Sequence, residues 1–158
     1  MTGIFTKRFV VPPEAIDANR HVNNLAYLQW MQDVAIEHSA ALGWPIERYI
    51  RSGGTWVARS HFIEYLRPAF EGEALALHTW VSAAGSRSAV RHYATVREPD
   101  RTLLARAETN WVYVTLATGR PAVVPDDLLN AFPIVAKEDA LARLGLVKGE
   151  PGTGSGER

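Results

Sequence analysis

The sequence predicts an α+β fold in which one long helix packs against an antiparallel sheet of about five to six strands. Two observations support this prediction. A single long segment repeats apolar residues at helical spacing, and several later segments rich in β-branched and aromatic residues are separated by short, turn-forming connections. Because short connections join antiparallel neighbours, we expect the strands that follow the helix to form a meander.

The first third of the chain contains the predicted first strand and the long helix. Residues 4–11 are mostly β-branched and aromatic, which is typical of a strand. Residues 25–42 place apolar side chains on one helical face over about five turns. Asn23 and Asn24 are candidate N-caps for this helix, and Gly43 marks its end.

The remainder of the chain is predicted to form a short helix at residues 46–50, four strands, and a last short helix that begins at Asp126. The strands are expected at residues 55–67, 73–83, 88–98 and 102–117. The strand at 73–83 is apolar on both alternations, which indicates a central strand covered on both faces. With one long helix in the chain, we expect the second cover to come from another copy, in a homodimer or homotetramer.

Length and composition limit the classes of protein to be considered. The 158 residues are 47% hydrophobic, which fits one domain over residues 1–147, and the Gly-rich residues 148–158 are expected to be a disordered tail. The 17 basic and 17 acidic residues balance, which argues against nucleic-acid or membrane partners. The absence of cysteine excludes disulfides and thiolate chemistry. The first residues lack a secretory signal pattern, so a cytoplasmic location is expected.

A polar loop over residues 17–24 stands directly before the long helix. The first N–H groups of a helix carry partial positive charge and can stabilise a developing oxyanion. An ionised Asp17 beside them can attack a carbonyl group or activate a water molecule. Asp17 and Asn19 also suit a simple turn, since both residue types hydrogen-bond their own backbone, and Asn23 and Asn24 also suit helix caps.

The string Asp-x-Asn-x-His-Val-Asn-Asn, followed by x-x-Tyr, occupies residues 17–27 and resembles the hotdog-fold thioesterases. It is similar in particular to the branches of 4-hydroxybenzoyl-CoA thioesterase and the plant acyl-carrier-protein (ACP) thioesterases. The resemblance extends over residues 5–132 and includes the segment 62–73. It implies a hotdog fold and hydrolysis of an acyl thioester, acyl-CoA or acyl-ACP, with no cofactor other than the coenzyme A (CoA) of the substrate.

The resemblance also implies roles for individual residues. Asp17 is implied to be the nucleophile or general base, Asn19 and His21 its polar partners, and the helix start at Asn23 and Asn24 the group that polarises the thioester carbonyl.

The chain departs from the family pattern at three positions. Arg20 stands where many bacterial members have glycine, and Pro68 and Ala69 replace an acidic residue and a cysteine of the plant enzymes. These two replacements favour the simpler scheme with Asp17 alone. Glu64, in the same segment, is a candidate for the missing acid, although strand alternation does not set its direction.

Two further polar residues are candidates for binding phosphate. Arg87 and Ser88 lie in a strand connection and offer a guanidinium and a hydroxyl suited to phosphate, near the part of the fold that contacts the nucleotide of CoA in the resembling enzymes. Arg87 equally suits an ordinary solvated arginine. The histidines outside the polar loop show no ligand spacing, so no metal site is predicted: His38, His61, His78 and His92.

Two alternative functions remain open on the same fold. Hotdog hydratases and dehydratases also use Asp, Asn and His near the helix, but their string places Pro after the Asn and His one residue later, where this chain has Arg20 and His21. A module that binds acyl groups or CoA without turnover is also compatible, because a fold does not determine a function.

Overall fold

The computed structural model describes residues 2–146 of the chain. The strands are β1 (Phe5–Val10), β2 (Gly54–Tyr65), β3 (Ala74–Ala84), β4 (Ser88–Arg97) and β5 (Thr102–Thr115). The helices are α1 (Asn24–Ala41), α2 (Ile46–Ser52), α3 (Asp126–Leu129) and α4 (Lys137–Arg143), with a 3₁₀ turn at Pro13–Ala15. The predicted tail at 148–158 lies outside the described residues. Within them, no helix is both long and apolar enough to cross a membrane.

The five strands form one antiparallel sheet in the order β1-β3-β4-β5-β2, which confirms the predicted α+β class. The expected meander is correct only for β3, β4 and β5. β2 pairs with β5 rather than with its successor β3, and the connection between β2 and β3 therefore crosses one end of the sheet. On the way, the N–H groups of Leu66 and Arg67 both donate to the carbonyl of Leu104, at 2.8 and 3.1 Å. Strand patterns predict strands but do not specify which strands pair.

α1 lies across one face of the sheet, which we call the inner face. Met31 and Val34 of α1 are buried there against Leu77 of β3 and Tyr93 of β4. This is the apolar stripe that the helical spacing predicted. At the C-terminal end, Gly43 has φ of 94°, a left-handed conformation that suits glycine, and the chain turns away from the helix there.

The second face of β3, the outer face of the sheet, is covered by the chain itself. Trp80 is 1% exposed and packs with Val135, Ala140 and Leu141, which belong to α4 and the segment before it. The prediction that another copy supplies this cover was therefore wrong, and β3 lies second from the edge rather than at the centre. α4 was missed because a helix of 7 residues is too short for a clear periodic signal.

We expect the packing of α4 on the outer face to contribute measurably to stability. Leu141→Ala should lower the free energy of unfolding by about 2–3 kcal/mol, because it removes buried methyl groups and leaves a cavity beside Trp80. Urea denaturation followed by circular dichroism measures the change. Leu116→Ala, at a side chain that is 47% exposed, is the control and should change it by less than about 0.5 kcal/mol. Equal effects of the two variants would show that α4 does not cover the sheet in solution.

Candidate active site

The polar segment before α1 is a tight loop closed by backbone hydrogen bonds. The N–H of Asp17 donates to the carbonyl of His21, and the N–H of Arg20 donates to the carbonyl of Asp17, each at 3.0 Å. Just outside them, Ile16 and Val22 form an antiparallel bridge. Asp17 and His21 therefore stand opposite each other at the base of the turn.

Arg20 has a backbone conformation that explains the glycine of the resembling sequences. Its φ is 69°, in the left-handed region, where a side chain costs about 1 kcal/mol or more and glycine costs nothing. The side chain of Arg20 is exposed. The departure from the family pattern therefore changes the residue type at the turn and leaves the turn itself in place.

One of the two carboxylate oxygens of Asp17 is hydrogen-bonded within this loop. Its Oδ1 atom accepts a hydrogen bond from the N–H of Asn19 at 2.8 Å, which is the turn-forming role considered from the sequence. Its Oδ2 atom makes no hydrogen bond with any residue in the range 2–146. The side chain is 24% exposed. One oxygen thus holds the loop, and the other is available for chemistry.

The predicted partners of Asp17 contribute unequally. Asn19 contacts the carboxylate through its backbone N–H, not through its carboxamide. The Nδ1 atom of His21 lies 3.9 Å from Oδ1 of Asp17, beyond hydrogen-bonding distance, and 3.3 Å from the carbonyl oxygen of Val22. His21 is therefore a close neighbour of the carboxylate but does not hydrogen-bond it in this conformation.

The two neighbouring asparagines at the start of α1 have different roles. The Oδ1 atom of Asn23 accepts the N–H of Leu25 at 2.7 Å, so Asn23 is the N-cap. The N–H of Asn23 donates to the carbonyl of Ala15 at 2.8 Å. The N–H of Asn24, in contrast, finds no acceptor within the described part of the chain. It is the open donor at the positive end of the helix.

The end of β2 supports this helix start. The hydroxyl of Tyr65 donates to the carbonyl of Asn24 at 3.2 Å, and its ring packs edge-on against Tyr27. The neighbouring residue Glu64, considered as a second acid, has its Oε1 atom bound by Arg106 across the β2–β5 ladder. Glu64 therefore contributes to the pairing of these strands.

Arg87 and Ser88 lie at the opposite end of the sheet from Asp17. β3 begins beside the loop, where the carbonyl of Glu73 accepts the N–H of Val11, and ends just before Arg87. Its 11 residues separate the two groups by roughly 30 Å at the usual rise of a strand. The side chain of Arg87 is exposed, and its carbonyl accepts the N–H of Tyr113 at 2.9 Å. A single chain does not bring these two predicted groups together.

A cavity of about 320 Å³ lies under the second half of α1. Its first helical residue, Gln32, stands eight residues beyond Asn24, which is about 12 Å along the axis, so the cavity is separate from Asp17 in one chain. Trp56 and Trp111 line it. Arg91 also lines the cavity, and the sequence analysis above does not predict it as a binding residue. The pattern that could have indicated it is a charged residue two positions before Tyr93, since both lie on the face of β4 that points inward. Across residues 2–146, no cluster of three or more His, Asp or Glu side chains is placed to hold a metal ion.

The chain is similar to several known proteins. A palmitoyl-acyl carrier protein thioesterase of the chloroplast from Gossypium hirsutum is 22% identical, and the match covers 85% of this chain but only 36% of that protein. A 1,4-dihydroxy-2-naphthoyl-CoA thioesterase from Synechocystis superposes with a TM-score of 0.75 at 22% identity, over 82% of this chain and 95% of that one. A hypothetical protein from Staphylococcus aureus, solved in complex with CoA, superposes with a TM-score of 0.76 at 18% identity, over 89% and 94% of the two chains.

The chain spans about a third of the length of its curated plant relative, and the two structural likenesses establish the hotdog fold. The family match covers most of the chain. Residues 11–132 match the family described as the Thioesterase-like superfamily, a range that includes the Asp17 loop, α1 and all strands after β1. The protein therefore belongs to the Thioesterase-like superfamily, the hotdog-fold thioesterases that its polar loop resembles.

Proposed function

We propose that this protein hydrolyses acyl-CoA thioesters, with Asp17 as nucleophile or general base. Membership of the Thioesterase-like superfamily supports thioester hydrolysis as the reaction class. The finer proposal rests on two polar groups, in the loop and at the start of α1, that have no hydrogen-bond partner among the described residues. Oδ2 of Asp17 is an acceptor without a donor, and the N–H of Asn24 is a donor without an acceptor, both within residues 2–146.

These two groups match the needs of acyl transfer. As the thioester carbonyl is attacked, negative charge develops on its oxygen, and the Asn24 N–H with the dipole of α1 stabilises that charge. In the general-base route, water forms the new C–O bond and Asp17 takes its proton. The C–S bond then breaks with its electron pair on sulfur, and the proton passes to the thiolate. In the nucleophilic route, a carboxylate oxygen of Asp17 bonds to the carbonyl carbon and the C–S bond breaks with its electron pair on the departing thiolate. The mixed anhydride so formed is hydrolysed by water to the free acid and the Asp17 carboxylate.

The loop contacts suggest supporting roles for the remaining residues of the motif. The N–H of Asn19 orients the carboxylate through Oδ1, which leaves Oδ2 without a hydrogen bond in the described range. His21, at 3.9 Å from Oδ1, adds a polar neighbour at the base of the loop. Neither residue adds a second carboxylate, which fits a mechanism with Asp17 as the single reacting carboxylate.

The lengths of the similar proteins favour CoA over a carrier protein. The Synechocystis CoA thioesterase and the Staphylococcus aureus protein bound to CoA are matched over 95% and 94% of their chains, so each is about the size of this protein. The carrier-protein thioesterase from Gossypium hirsutum is much longer, since only 36% of it is matched. No cofactor is required in this scheme, because CoA is part of the substrate.

We also propose that two copies of the chain associate through β2, as a homodimer or within a homotetramer. β2 is an edge strand of 12 residues, and such an edge presents unpaired backbone groups. Large apolar side chains on it are exposed: Val57 at 43%, Phe62 at 61% and Tyr65 at 44%. A second copy would cover this edge. It also offers a way for Arg87 and Ser88 of one chain to serve the Asp17 site of the other.

The decisive substitution is Asp17→Asn. The carboxamide oxygen of the new side chain can still accept the N–H of Asn19, so the loop is retained while the negative charge is lost. We expect kcat for acyl-CoA hydrolysis to fall by at least about 100-fold, within the range for removal of a positioned base, with an unchanged melting temperature. Thiol release measured with a chromogenic disulfide reports the rate.

The structure provides a matched control for this substitution. Asp100 makes the same turn contact, with Oδ1 accepting the N–H of Thr102 at 3.0 Å beside the left-handed residue Arg101. Asp100→Asn should leave kcat at the wild-type value. If Asp17→Asn also keeps wild-type turnover with an intact fold, Asp17 is a turn former and the mechanism is wrong. Hydration of an enoyl-CoA without thiol release would instead identify a hydratase.

The CoA contact is tested at Arg87. Contacts to a remote phosphate act equally on the ground state and the transition state, so Arg87→Ala should raise KM for acyl-CoA several-fold with little change in kcat. Steady-state kinetics with the same thiol-release assay separate the two constants. Arg51→Ala, at another exposed arginine, is the control and should change neither. An unchanged KM in Arg87→Ala would show that Arg87 does not contact CoA.

The association through β2 is tested with Phe62→Asp. A charge in place of an exposed apolar side chain at the paired edge should convert the oligomer to a monomer at micromolar concentration, because burying it unpaired is costly. Size-exclusion chromatography with light scattering measures the mass. Val10→Asp, at a side chain 60% exposed on the opposite edge strand, should leave the oligomer intact. A monomeric, active wild-type protein would exclude the proposed assembly.

A further inference from the structure

The cavity under α1 has the size and the walls of a small-molecule site. At about 320 Å³ it lies at the lower end of the usual range of roughly 300–1,000 Å³. Its lining is largely apolar and aromatic, with Ile36, Trp44, Trp56, Trp111, Leu128 and Phe132 among the residues. Ile36 and Ile46, at its margin, are 48% and 52% exposed, so the cavity opens to solvent there.

One cation lies in this apolar surrounding. Arg91 of β4 lines the cavity and is only 5% exposed. Its Nη1 atom donates to Nδ1 of His38 at 2.9 Å and to Oγ1 of Thr79 at 3.0 Å. Over the described range, no other hydrogen bond of this guanidinium is formed, and no Asp or Glu oxygen lies within 4.0 Å of it. The remaining N–H groups of the guanidinium therefore have no hydrogen-bond partner among the described residues.

Neither protein partner neutralises this charge. Thr79 is uncharged, and burial together with the charge of Arg91 lowers the pKa of His38 to about 3, so His38 is neutral at physiological pH. Burial also lowers the pKa of Arg91 itself, because a desolvated cation without an anion is unfavourable. A buried charge without a counter-ion is strongly destabilising. A bound anion would remove that cost.

Two hydroxyls among the other polar groups of the cavity are satisfied, whereas the buried Nε1 of Trp111 has no hydrogen-bond partner within residues 2–146. The hydroxyls of Ser39 and Tyr49 lie 2.7 Å apart and bond each other, and Ser39 also donates to the carbonyl of Trp44 at 2.8 Å. Arg91 is the cation among the lining residues, so recognition of an anion falls to it, and its planar fork matches the two oxygens of a carboxylate. The aromatic walls accept an apolar body and offer no second cation for a more highly charged group.

We propose that this cavity binds a short apolar molecule or group that ends in a carboxylate, with the carboxylate on the free edge of the Arg91 guanidinium. Two sources have this chemistry. One is a free carboxylic acid, and the other is the distal carboxylate of a dicarboxylic acyl thioester. The first source is independent of the proposed hydrolase function. The second rests on that function and on the proposed association, because the cavity is separate from Asp17 of its own chain and the thioester would lie at Asp17 of a second copy.

Binding is tested with hexanoate and its neutral analogue hexanamide as probes. The indole N–H signals of Trp44, Trp56 and Trp111 in NMR spectra report occupancy, since all three side chains line the cavity. In the wild-type protein we expect hexanoate to bind at least about 10-fold more tightly than hexanamide, as a charge-assisted pair implies. Equal affinities, or no binding of hexanoate, would overturn the proposal without any variant.

Two substitutions locate the site. Arg91→Gln should weaken hexanoate binding at least about 10-fold and leave hexanamide unaffected, while Arg51→Gln, at an exposed arginine outside the cavity, should change neither. Ala35→Phe fills the cavity from α1 and keeps Arg91, so it should abolish binding of both probes. Wild-type affinity for hexanoate in folded Arg91→Gln or Ala35→Phe would show that the carboxylate binds elsewhere, and the proposal would be wrong.

Hydrolysis of adipyl-CoA and hexanoyl-CoA distinguishes the two sources. A wild-type preference for adipyl-CoA in kcat/KM that Arg91→Gln removes would assign the site to the acyl group of the substrate. Equal kcat/KM values, with hexanoate bound at Arg91, would assign it to free carboxylic acids. If the protein hydrolyses neither thioester, the proposed function fails, but the NMR titration still decides whether the carboxylate site exists.

Discussion

The start of α1 is the constraint on which the rest of the structure depends. The side chain of Asn23 caps the helix, and the backbone N–H of Asn23 donates to the carbonyl of Ala15. The N–H of Val22 donates to the carbonyl of Ala69 at 2.8 Å. These contacts join the loop after β1, the β2–β3 connection and the helix at one point. They leave the loop little freedom, so the carboxylate of Asp17 and the N–H of Asn24 have defined positions. The proposed reaction at a carbonyl would therefore need no rearrangement of these two groups.

A second constraint acts inside the sheet. Arg91 occupies a position of β4 that would ordinarily hold an apolar residue, because this alternation faces α1 and includes the buried Tyr93. A charge at that depth is retained only where it is compensated, and among the described residues Arg91 has two neutral hydrogen-bond acceptors and the ring face of Phe132, 5.7 Å away, but no carboxylate. The unpaired charge therefore lowers the stability of the protein alone, and the anion that we propose for the cavity would offset that cost.

The two sides of the sheet show why apolar character alone does not reveal an interface. β3 is apolar on both faces, yet α1 covers one and the C-terminal segment with α4 covers the other. β2 has a less apolar pattern, but it lies at an edge with Phe62 exposed. The association that we propose depends on which strand stays uncovered. That depends on strand order, and strand order is a property of the whole chain.

The sequence by itself determined the elements and the polar loop. The spacing of residues 25–42 predicted α1 to within one residue at each end, the strands were predicted within two residues, and the string from Asp17 to Asn24 indicated both the fold family and the candidate site. These are local properties, since caps, turns and periodic patterns depend on residues close in the chain. The tertiary structure decided what depends on distant contacts. It paired β2 with β5, placed α4 over Trp80, separated Arg87 from Asp17, and buried Arg91 beside an apolar cavity. None of these contacts has a signal in the spacing of nearby residues, because each brings together segments that are far apart in the sequence.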